Sequence, residues 1–181
     1  MDKPYFIMLV GIPGSGKTKW ASEIKSVNTQ VVCPDDIRKK IGENVSDQSV
    51  NVAAWVQAEK ETITLLEKYG TNVILDATNV NVNEWQDFVS RLPECQKVAK
   101  LFEVPPDIAY GRIAMDIMHE KDRCHVPEHA VYRYYGMYLY TKKVLLEDPL
   151  CRFQVDILSE PVDWIADLRT SKMRYMQKNK P

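Results

Sequence analysis

The stretch that most constrains this chain is GIPGSGKT, residues 11–18, which lies between an apolar run and a helical pattern. The run YFIMLV, residues 5–10, is typical of a strand buried on both faces of a parallel sheet. The segment that follows, residues 17–26, has apolar residues at helical spacing. A motif of the form G-x-x-x-x-G-K-(S/T) in that setting predicts a phosphate-binding loop.

The residue types of this loop suit a nucleoside triphosphate. Glycine lets the backbone turn tightly and direct its N–H groups at phosphate oxygens. Lys17 is expected to reach the terminal phosphates, and the Thr18 hydroxyl to hold a Mg²⁺ ion that bridges them. We therefore predict that Gly14, Ser15, Gly16, Lys17 and Thr18 bind ATP or another NTP as phosphate donor. The alternative is a glycine turn that only caps a helix.

Apolar runs and helical patterns alternate along the rest of the chain, which predicts an α/β domain with a mainly parallel sheet. The later strands are predicted at residues 30–33, 71–79, 97–104 and 152–158. The later helices are predicted at 34–42, 48–69, 83–92, 106–120, 128–146 and around 161–168. This organisation predicts a single domain over residues 1–168 and a basic tail over residues 169–181.

Composition excludes few functions, but it does indicate the cellular compartment in which the protein is expected. Four cysteines in 181 residues, with no C-x-x-C pair, argue against a zinc site and indicate reduced thiols in a cytoplasmic protein. No apolar run approaches the ~20 residues that span a membrane. The formal net charge is −1, so any nucleic-acid site must depend on local clustering of basic residues.

Two aspartates and an arginine follow the second predicted strand, in CPDDIRKK. Ligands of parallel α/β sheets bind at the carboxyl ends of the strands, so Asp35 and Asp36 are expected near the phosphate-binding loop. Asp35 is placed to accept a proton from an attacking hydroxyl, and Arg38 to clamp a phosphate of the acceptor or of the transition state. The alternative is that the acids only favour a helix N-terminus.

Asp76 and Asn79 end another predicted strand, in VILDATN. Asp76 resembles a Walker B acid that holds Mg²⁺ through water or anchors Lys17, and Asn79 is a candidate for positioning substrate. The alternative is turn chemistry, because Asp, Thr and Asn all end strands.

A helix break near residues 119–127 is a candidate lid. Phosphoryl transfer requires cations that close over the phosphates and exclude water. Arg123 lies on the break and is predicted as the lid arginine, and Arg112 on the preceding helix is predicted to reach the same site. The alternative is a solvated helix–turn–helix with ordinary ion pairs. The aromatic-rich segment at 131–140 suits a helix that packs on the sheet, although aromatic side chains also stack on bases.

Four blocks together resemble the polynucleotide 5′-hydroxyl kinase family, the end-healing kinases of phages and of RNA and DNA repair systems. They are GIPGSGKTKWA, PDDIRKKI, ILDATNVN and VPPDIAYGR with the later DR and VP, over residues 5 to about 135. The resemblance implies a P-loop kinase-like three-layer sandwich with strand order 2-3-1-4-5 and a helical lid between the last two strands.

The resemblance also implies residue roles. Asp35 would be the general base toward a 5′-hydroxyl, Arg38 would contact the acceptor phosphate, and Lys17 and Arg123 would neutralise the γ-phosphate. The stretch between Arg112 and Arg123 is longer than the family pattern. The sequence has neither a D-x-D-x-T phosphatase motif nor a K-x-D-G ligase motif, so a stand-alone kinase domain is expected.

The function predicted first is ATP-dependent transfer of the γ-phosphate to the 5′-hydroxyl end of RNA or DNA. One alternative is a P-loop kinase for a small molecule such as a nucleoside, a sugar or a modified base, which the near-neutral net charge favours. A second alternative is a nucleotide-binding ATPase or switch module. The expected partner is a nucleic-acid 5′-end and not a membrane, in the cytoplasm, or in the host cytoplasm if the chain is phage-encoded.

Overall fold

The computed structural model of the chain describes residues 3–42, 50–119, 126–149 and 152–159. The strands are β1 (Tyr5–Val10), β2 (Thr29–Val32), β3 (Asn72–Leu75), β4 (Gln96–Glu103) and β5 (Gln154–Ser159). The helices are α1 (Lys17–Ile24), α2 (Pro34–Ile41), α3 (Asn51–Tyr69), α4 (Val82–Ser90), α5 (Pro106–Met118) and α6 (Glu128–Leu146). The predicted helix at 161–168, the basic tail and lid residues 120–125 lie outside the described residues.

The five strands form one sheet in the order β2-β3-β1-β4-β5, and each neighbouring pair is parallel. This confirms the predicted α/β fold and its strand order. The central strand β1 is flanked on both sides and reads as a continuous apolar run, which is the pattern of a strand buried on two faces.

Alternate residues of β1 supply the two halves of the core, because successive side chains of a strand point to opposite faces. Phe6, Met8 and Val10 belong to the larger cluster, which the helices α3 to α6 complete. Leu9 belongs to the smaller cluster, where α1 packs on the other face. The sheet is therefore the middle layer of three. None of the helices in the described part of the chain combines the length and the apolarity needed to cross a membrane.

The strand predicted at 71–79 is shorter in the structure. β3 ends at Leu75, and the residues up to Asn79 form a loop that returns toward β1. Asn79 has a φ of 48°, in the left-handed region, which a strand cannot continue through. The loop places its polar side chains beside the end of β1 rather than along a strand.

Candidate active site

The glycine-rich loop between β1 and α1 has the shape of a phosphate cradle. Gly14 and Gly16 have φ values of 82° and 93°, both in the left-handed region that favours glycine. A Cβ atom at Gly14 would lie 2.3 Å from the carbonyl oxygen of Ala109 in α5. Glycine is therefore required at position 14 for two reasons, namely the left-handed backbone angle and the close approach of α5.

Lys17 lies inside this loop, and its side chain is turned back onto the loop backbone. The residue is 8% exposed, and Nζ donates to the carbonyl oxygens of Gly11 and Ile12, both at 2.9 Å. Nζ also donates to the Ser15 hydroxyl at 3.3 Å. An ammonium group held at the centre of the cradle is placed to meet phosphate oxygens.

Asp76 comes directly after β3 and faces the start of α1. It is 5% exposed, and its carboxylate accepts a hydrogen bond from the Thr18 hydroxyl and interacts with the Lys17 ammonium. Burial raises the pKa of the Asp76 carboxyl, and the hydrogen bond from Thr18 and the charge of Lys17 oppose that shift only in part. The structure thus brings together Asp76, Thr18 and Lys17, which come from two separate blocks of the sequence.

Asp35 and Asp36 lie at the start of α2, on the same edge of the sheet. Both are exposed, and the charges of both raise the pKa of the Asp76 carboxyl, so the three carboxylates lie near one another. We call the space beside them the acidic crevice. Cys33 lies among them at the end of β2. Burial and the surrounding carboxylates raise the pKa of the Cys33 thiol to about 12, against the hydrogen bond from the Asp36 backbone.

Arg38 is held under this acidic group rather than pointing freely into solvent. Its guanidinium pairs with the Asp35 carboxylate at 2.9 Å and donates to the Asn51 side-chain oxygen at 2.8 Å. The residue is 8% exposed. Arg38 therefore fixes the direction of Asp35 and ties α2 to α3. The predicted contact of Arg38 with an acceptor phosphate stays a prediction.

The loop after β3 is bonded to β1 and to the start of the cradle. The backbone N–H of Gly11 donates to the Thr78 carbonyl at 3.0 Å. The Asn79 side-chain amide donates to the Leu9 carbonyl at 2.7 Å and is buried. Asn79 thereby holds the loop in its left-handed turn. Its predicted contact with substrate stays a prediction.

Of the two predicted arginines near the lid, the structure describes Arg112. Its Nη1 donates to the Gly14 carbonyl at 3.2 Å, and the Cβ that Gly16 lacks would lie 4.0 Å from the same nitrogen. Arg112 therefore lies against the phosphate-binding loop, and its predicted role in the site stays a prediction. Arg123 lies outside the described residues, and its role as lid arginine stays a prediction.

The donor atoms present fit a Mg²⁺ ion that is held mainly by phosphates. Mg²⁺ prefers oxygen ligands and commonly binds through one or two protein groups together with substrate phosphates and water. The Thr18 hydroxyl and the Asp76 carboxylate supply such oxygens side by side. Within the described ranges, no group of three or more His, Cys, Asp or Glu residues is arranged to hold a metal ion.

Two contacts of the site have no clear signal in the sequence. Asn51 holds Arg38 from α3, and the backbone of Ala109 packs on Gly14. An i, i+3 acid–arginine pair can be predicted from a helix, as for Asp35 and Arg38. Contacts between separate elements depend on how the helices pack, and nothing in the residue types marks them.

Comparison with known proteins places this arrangement in a family. The family model AAA_33, described as an AAA domain, matches residues 6–136. A search of the curated proteins found no match. Among solved structures, the chain is similar to one in the "Structure of the Pnkp1/Rnl/Hen1 RNA repair complex", with a TM-score of 0.69 and 28% identity over 79% of this chain and 46% of that chain.

Two further structures are similar. A chain of the "Structure of Pnkp1/Rnl/Hen1 complex" has a TM-score of 0.53 and 32% identity over 60% of this chain and 39% of that chain. The sequence thus spans less than half the length of either repair-complex chain. A candidate kinase from Chloroflexus aurantiacus J-10-fl has a TM-score of 0.64 and 14% identity over 95% of this chain and 98% of that chain, which shows a shared fold alone.

Proposed function

Because the chain belongs to the AAA domain family AAA_33 and is a P-loop kinase-like domain, we propose that it transfers the γ-phosphate of ATP to the 5′-hydroxyl end of RNA or DNA. One observation carries the proposal. The charges of Asp35 and Asp36 act on the Asp76 carboxyl, which accepts a hydrogen bond from Thr18 and interacts with Lys17. This proximity supports a site at which an acceptor alcohol meets a triphosphate. The likeness to a chain of an RNA repair complex supports a nucleic-acid acceptor.

The proposed reaction moves one phosphoryl group and one proton. The 5′-oxygen of the acceptor forms a bond to the γ-phosphorus while the bond from that phosphorus to the β–γ bridging oxygen breaks, which leaves ADP. The hydroxyl proton passes to the Asp35 carboxylate, whose exposed side chain is aimed by Arg38. Mg²⁺, when bound, neutralises charge on the phosphates, and its protein ligands would be Thr18 and, through water, Asp76.

The cradle supplies the remaining charge stabilisation. Lys17 exchanges its loop acceptors for oxygens of the β- and γ-phosphates, and Arg112 supports the loop at Gly14. Arg123 is assigned to close over the γ-phosphate from the lid. Positioning and electrostatic stabilisation then account for most of the rate, as expected for phosphoryl transfer.

A labelled-phosphate assay tests the proposal. The protein is incubated with γ-³²P ATP and Mg²⁺ and with oligonucleotides that differ only in carrying a 5′-hydroxyl or a 5′-phosphate. We expect label on the 5′-hydroxyl oligonucleotides and none on the 5′-phosphate ones. Label that reaches only nucleosides, sugars or modified bases would support the small-molecule kinase instead, and release of free phosphate alone would support the ATPase or switch.

The role of Asp35 is tested by a pair of neighbouring substitutions. Asp35→Asn removes the proposed base, and we expect kcat to fall by about 10²–10⁴-fold with little change in ATP affinity. Asp36→Asn removes the same charge at the next position, and we expect kcat to remain within about threefold of wild type. Equal losses in both variants would show that the crevice charge matters and that Asp35 has no special position.

A further inference from the structure

An open cavity of about 390 Å³ lies beside the loop that follows β3. One wall is the start of α4 and the residues before it, and the other wall is the middle of α6. The lining residues carry no formal charge and are Val80, Asn81, Val82, Asn83, Gly136, Met137 and Tyr140. The volume is in the range of sites for small organic groups, ~300–1,000 Å³.

The two walls of the cavity are joined by a buried hydrogen bond. The Thr141 hydroxyl on α6 donates to the Val80 carbonyl at 2.7 Å, and Thr141 is fully buried. This hydrogen bond therefore fixes the two walls of the cavity relative to each other. Val80 in the lining of the cavity is 3% exposed, and the Asn81 side-chain oxygen accepts from the Asn83 backbone N–H at 3.2 Å, which caps α4.

The residue on the helix wall is a glycine that the fold does not require. Gly136 lies in the middle of the 19-residue helix α6, where glycine is the least favourable residue after proline. A Cβ atom at Gly136 would meet nothing within 4 Å. No packing contact in the described part of the chain explains the glycine, and its absent side chain leaves the cavity open.

The same helix face carries an aromatic ring and a cation. Tyr140 is 62% exposed although it lines the cavity, so its ring is available to a ligand. Arg133 precedes Met137 and Tyr140 by four and seven residues, which places the three side chains on one face of α6. An aromatic ring for a base and a guanidinium for a phosphate are the two elements of single-strand recognition.

Only a few residues of the chain separate the cavity from the acidic crevice. Val80 follows Asp76 by four residues, and a chain of that length spans at most about 14 Å. Stacked nucleotides rise by about 3.4 Å each in one strand, so that distance corresponds to about four nucleotides or fewer.

We propose that this cavity binds a nucleobase of the acceptor strand, at the second to about the fourth nucleotide from the 5′-end, with the base stacked on Tyr140 and a phosphate near Arg133. The inference rests on the proposed function, because it assigns the acceptor a polynucleotide strand. It adds a determinant of acceptor length that is separate from the groups at the reacting end.

Two variants alter the cavity without touching the crevice. Tyr140→Ala removes the stacking ring, and Gly136→Leu introduces a side chain beside the cavity at a position where a Cβ atom would meet nothing within 4 Å. The matched control is Tyr69→Ala, which removes a tyrosine of similar exposure, 63%, from the end of α3. Thermal unfolding of each variant confirms that it is folded before kinetics are compared.

The readout is the dependence of kinetics on acceptor length. We expect kcat/KM for a 5′-hydroxyl hexanucleotide to fall about tenfold in Tyr140→Ala and in Gly136→Leu, in line with the loss of one stacked base. kcat/KM for a nucleoside 3′-monophosphate, which cannot reach the cavity, should stay within about twofold, and Tyr69→Ala should match wild type with both acceptors. In Arg133→Gln the salt dependence of hexanucleotide binding should weaken by about 0.7 in the log–log slope.

The outcomes separate this proposal from the proposed function. If wild type phosphorylates the hexanucleotide and both cavity variants keep wild-type kcat/KM, the cavity proposal is overturned and the kinase assignment stands. If wild type labels no oligonucleotide, the kinase assignment fails, and anisotropy of a fluorescent hexanucleotide decides on the cavity. Binding that is weakened in Tyr140→Ala and Gly136→Leu supports a base site, whereas no binding by wild type overturns it.

Discussion

Gly14 is the residue whose identity the backbone decides most directly. Its left-handed φ costs a side-chain-bearing residue about 1–2 kcal/mol, before any steric conflict is counted. The conflict is severe, because the added Cβ would lie 2.3 Å from a backbone oxygen of α5 that cannot rotate away. The cradle can therefore pack this closely on α5 only because Gly14 has no Cβ atom.

We expect Gly14→Ala to lower the free energy of unfolding by about 2 kcal/mol or more, measured by urea denaturation. The control is Gly111→Ala on α5, where a Cβ meets nothing within 4 Å. That variant should gain stability, by up to about 1 kcal/mol, from helix propensity alone. A Gly14→Ala protein as stable as wild type would mean that the loop does not have this conformation.

Cys33 shows how the charge of the crevice acts on a single group. The pKa of its thiol is raised from the ordinary value of 9.0 to about 12. Burial is the largest cause, and the nearby carboxylates add to it. The thiolate is the reactive form, and a raised pKa means that less of it is present at any pH below 12. The thiol should therefore be unreactive at neutral pH although it is only half-buried.

We expect the alkylation rate of Cys33 by iodoacetamide to rise about tenfold per pH unit from pH 8 to pH 11, because the thiolate fraction does so below the pKa. Peptide mass spectrometry after timed quenching measures this rate site by site. In the urea-unfolded protein the same rate should level off near pH 9. A plateau near pH 9 in the folded protein would contradict a thiol surrounded by carboxylates.

Among the elements, α6 and the loop after β3 are bonded into one unit. The buried hydrogen bond from Thr141 to the Val80 carbonyl holds the loop that also carries Asp76 and Asn79. Asn79, the residue before Val80, bonds the same part of the loop to β1. Two side-chain hydrogen bonds, one to α6 and one to β1, therefore fix the position of the Asp76 block relative to the cradle.

We expect Thr141→Val to lower the free energy of unfolding by about 1–3 kcal/mol, because it leaves the Val80 carbonyl without its donor in a buried place. The control is Thr64→Val on α3, where the hydroxyl bonds its own helix backbone near the surface. Its effect should stay within about 0.5 kcal/mol. Equal losses in the two variants would assign the effect to the change of side chain and not to the bond between α6 and the loop.

At the scale of the whole molecule, a nucleotide that binds the site as proposed should stabilise the folded protein. A ligand that binds only the folded state adds about 2.7 kcal/mol at one hundred times its Kd. The site joins β1, α1, the β3 loop and α5, so a nucleotide bound there opposes unfolding of the sheet as a whole.

We expect saturating ATP with Mg²⁺ to raise Tm by about 5–10 °C, measured by differential scanning fluorimetry. Lys17→Met should abolish the shift relative to its own nucleotide-free Tm, because the buried ammonium is lost from the cradle. Lys19→Met, two residues further along α1 and exposed, should keep the wild-type shift. An undiminished shift in Lys17→Met would mean that ATP binds elsewhere.

The accuracy of sequence-based prediction also differs with scale. Elements with strong periodicity or continuous apolar runs, such as β1 and α6, were located to within a few residues. The strand predicted at 71–79 was too long, because its polar end is held by bonds to β1 that no local pattern encodes. The site blocks were identified by residue types, and their roles remain predictions that the kinetic variants address.

The sequence by itself determined the phosphate-binding loop and the alternating elements, because turn-forming glycines and hydrophobic periodicity act over a few residues. Tertiary structure alone decided that Asn51 holds Arg38 and that α5 packs on Gly14. These contacts join residues far apart in the chain. They depend on the way helices pack against a twisted sheet, and the same residue types would permit many other pairings.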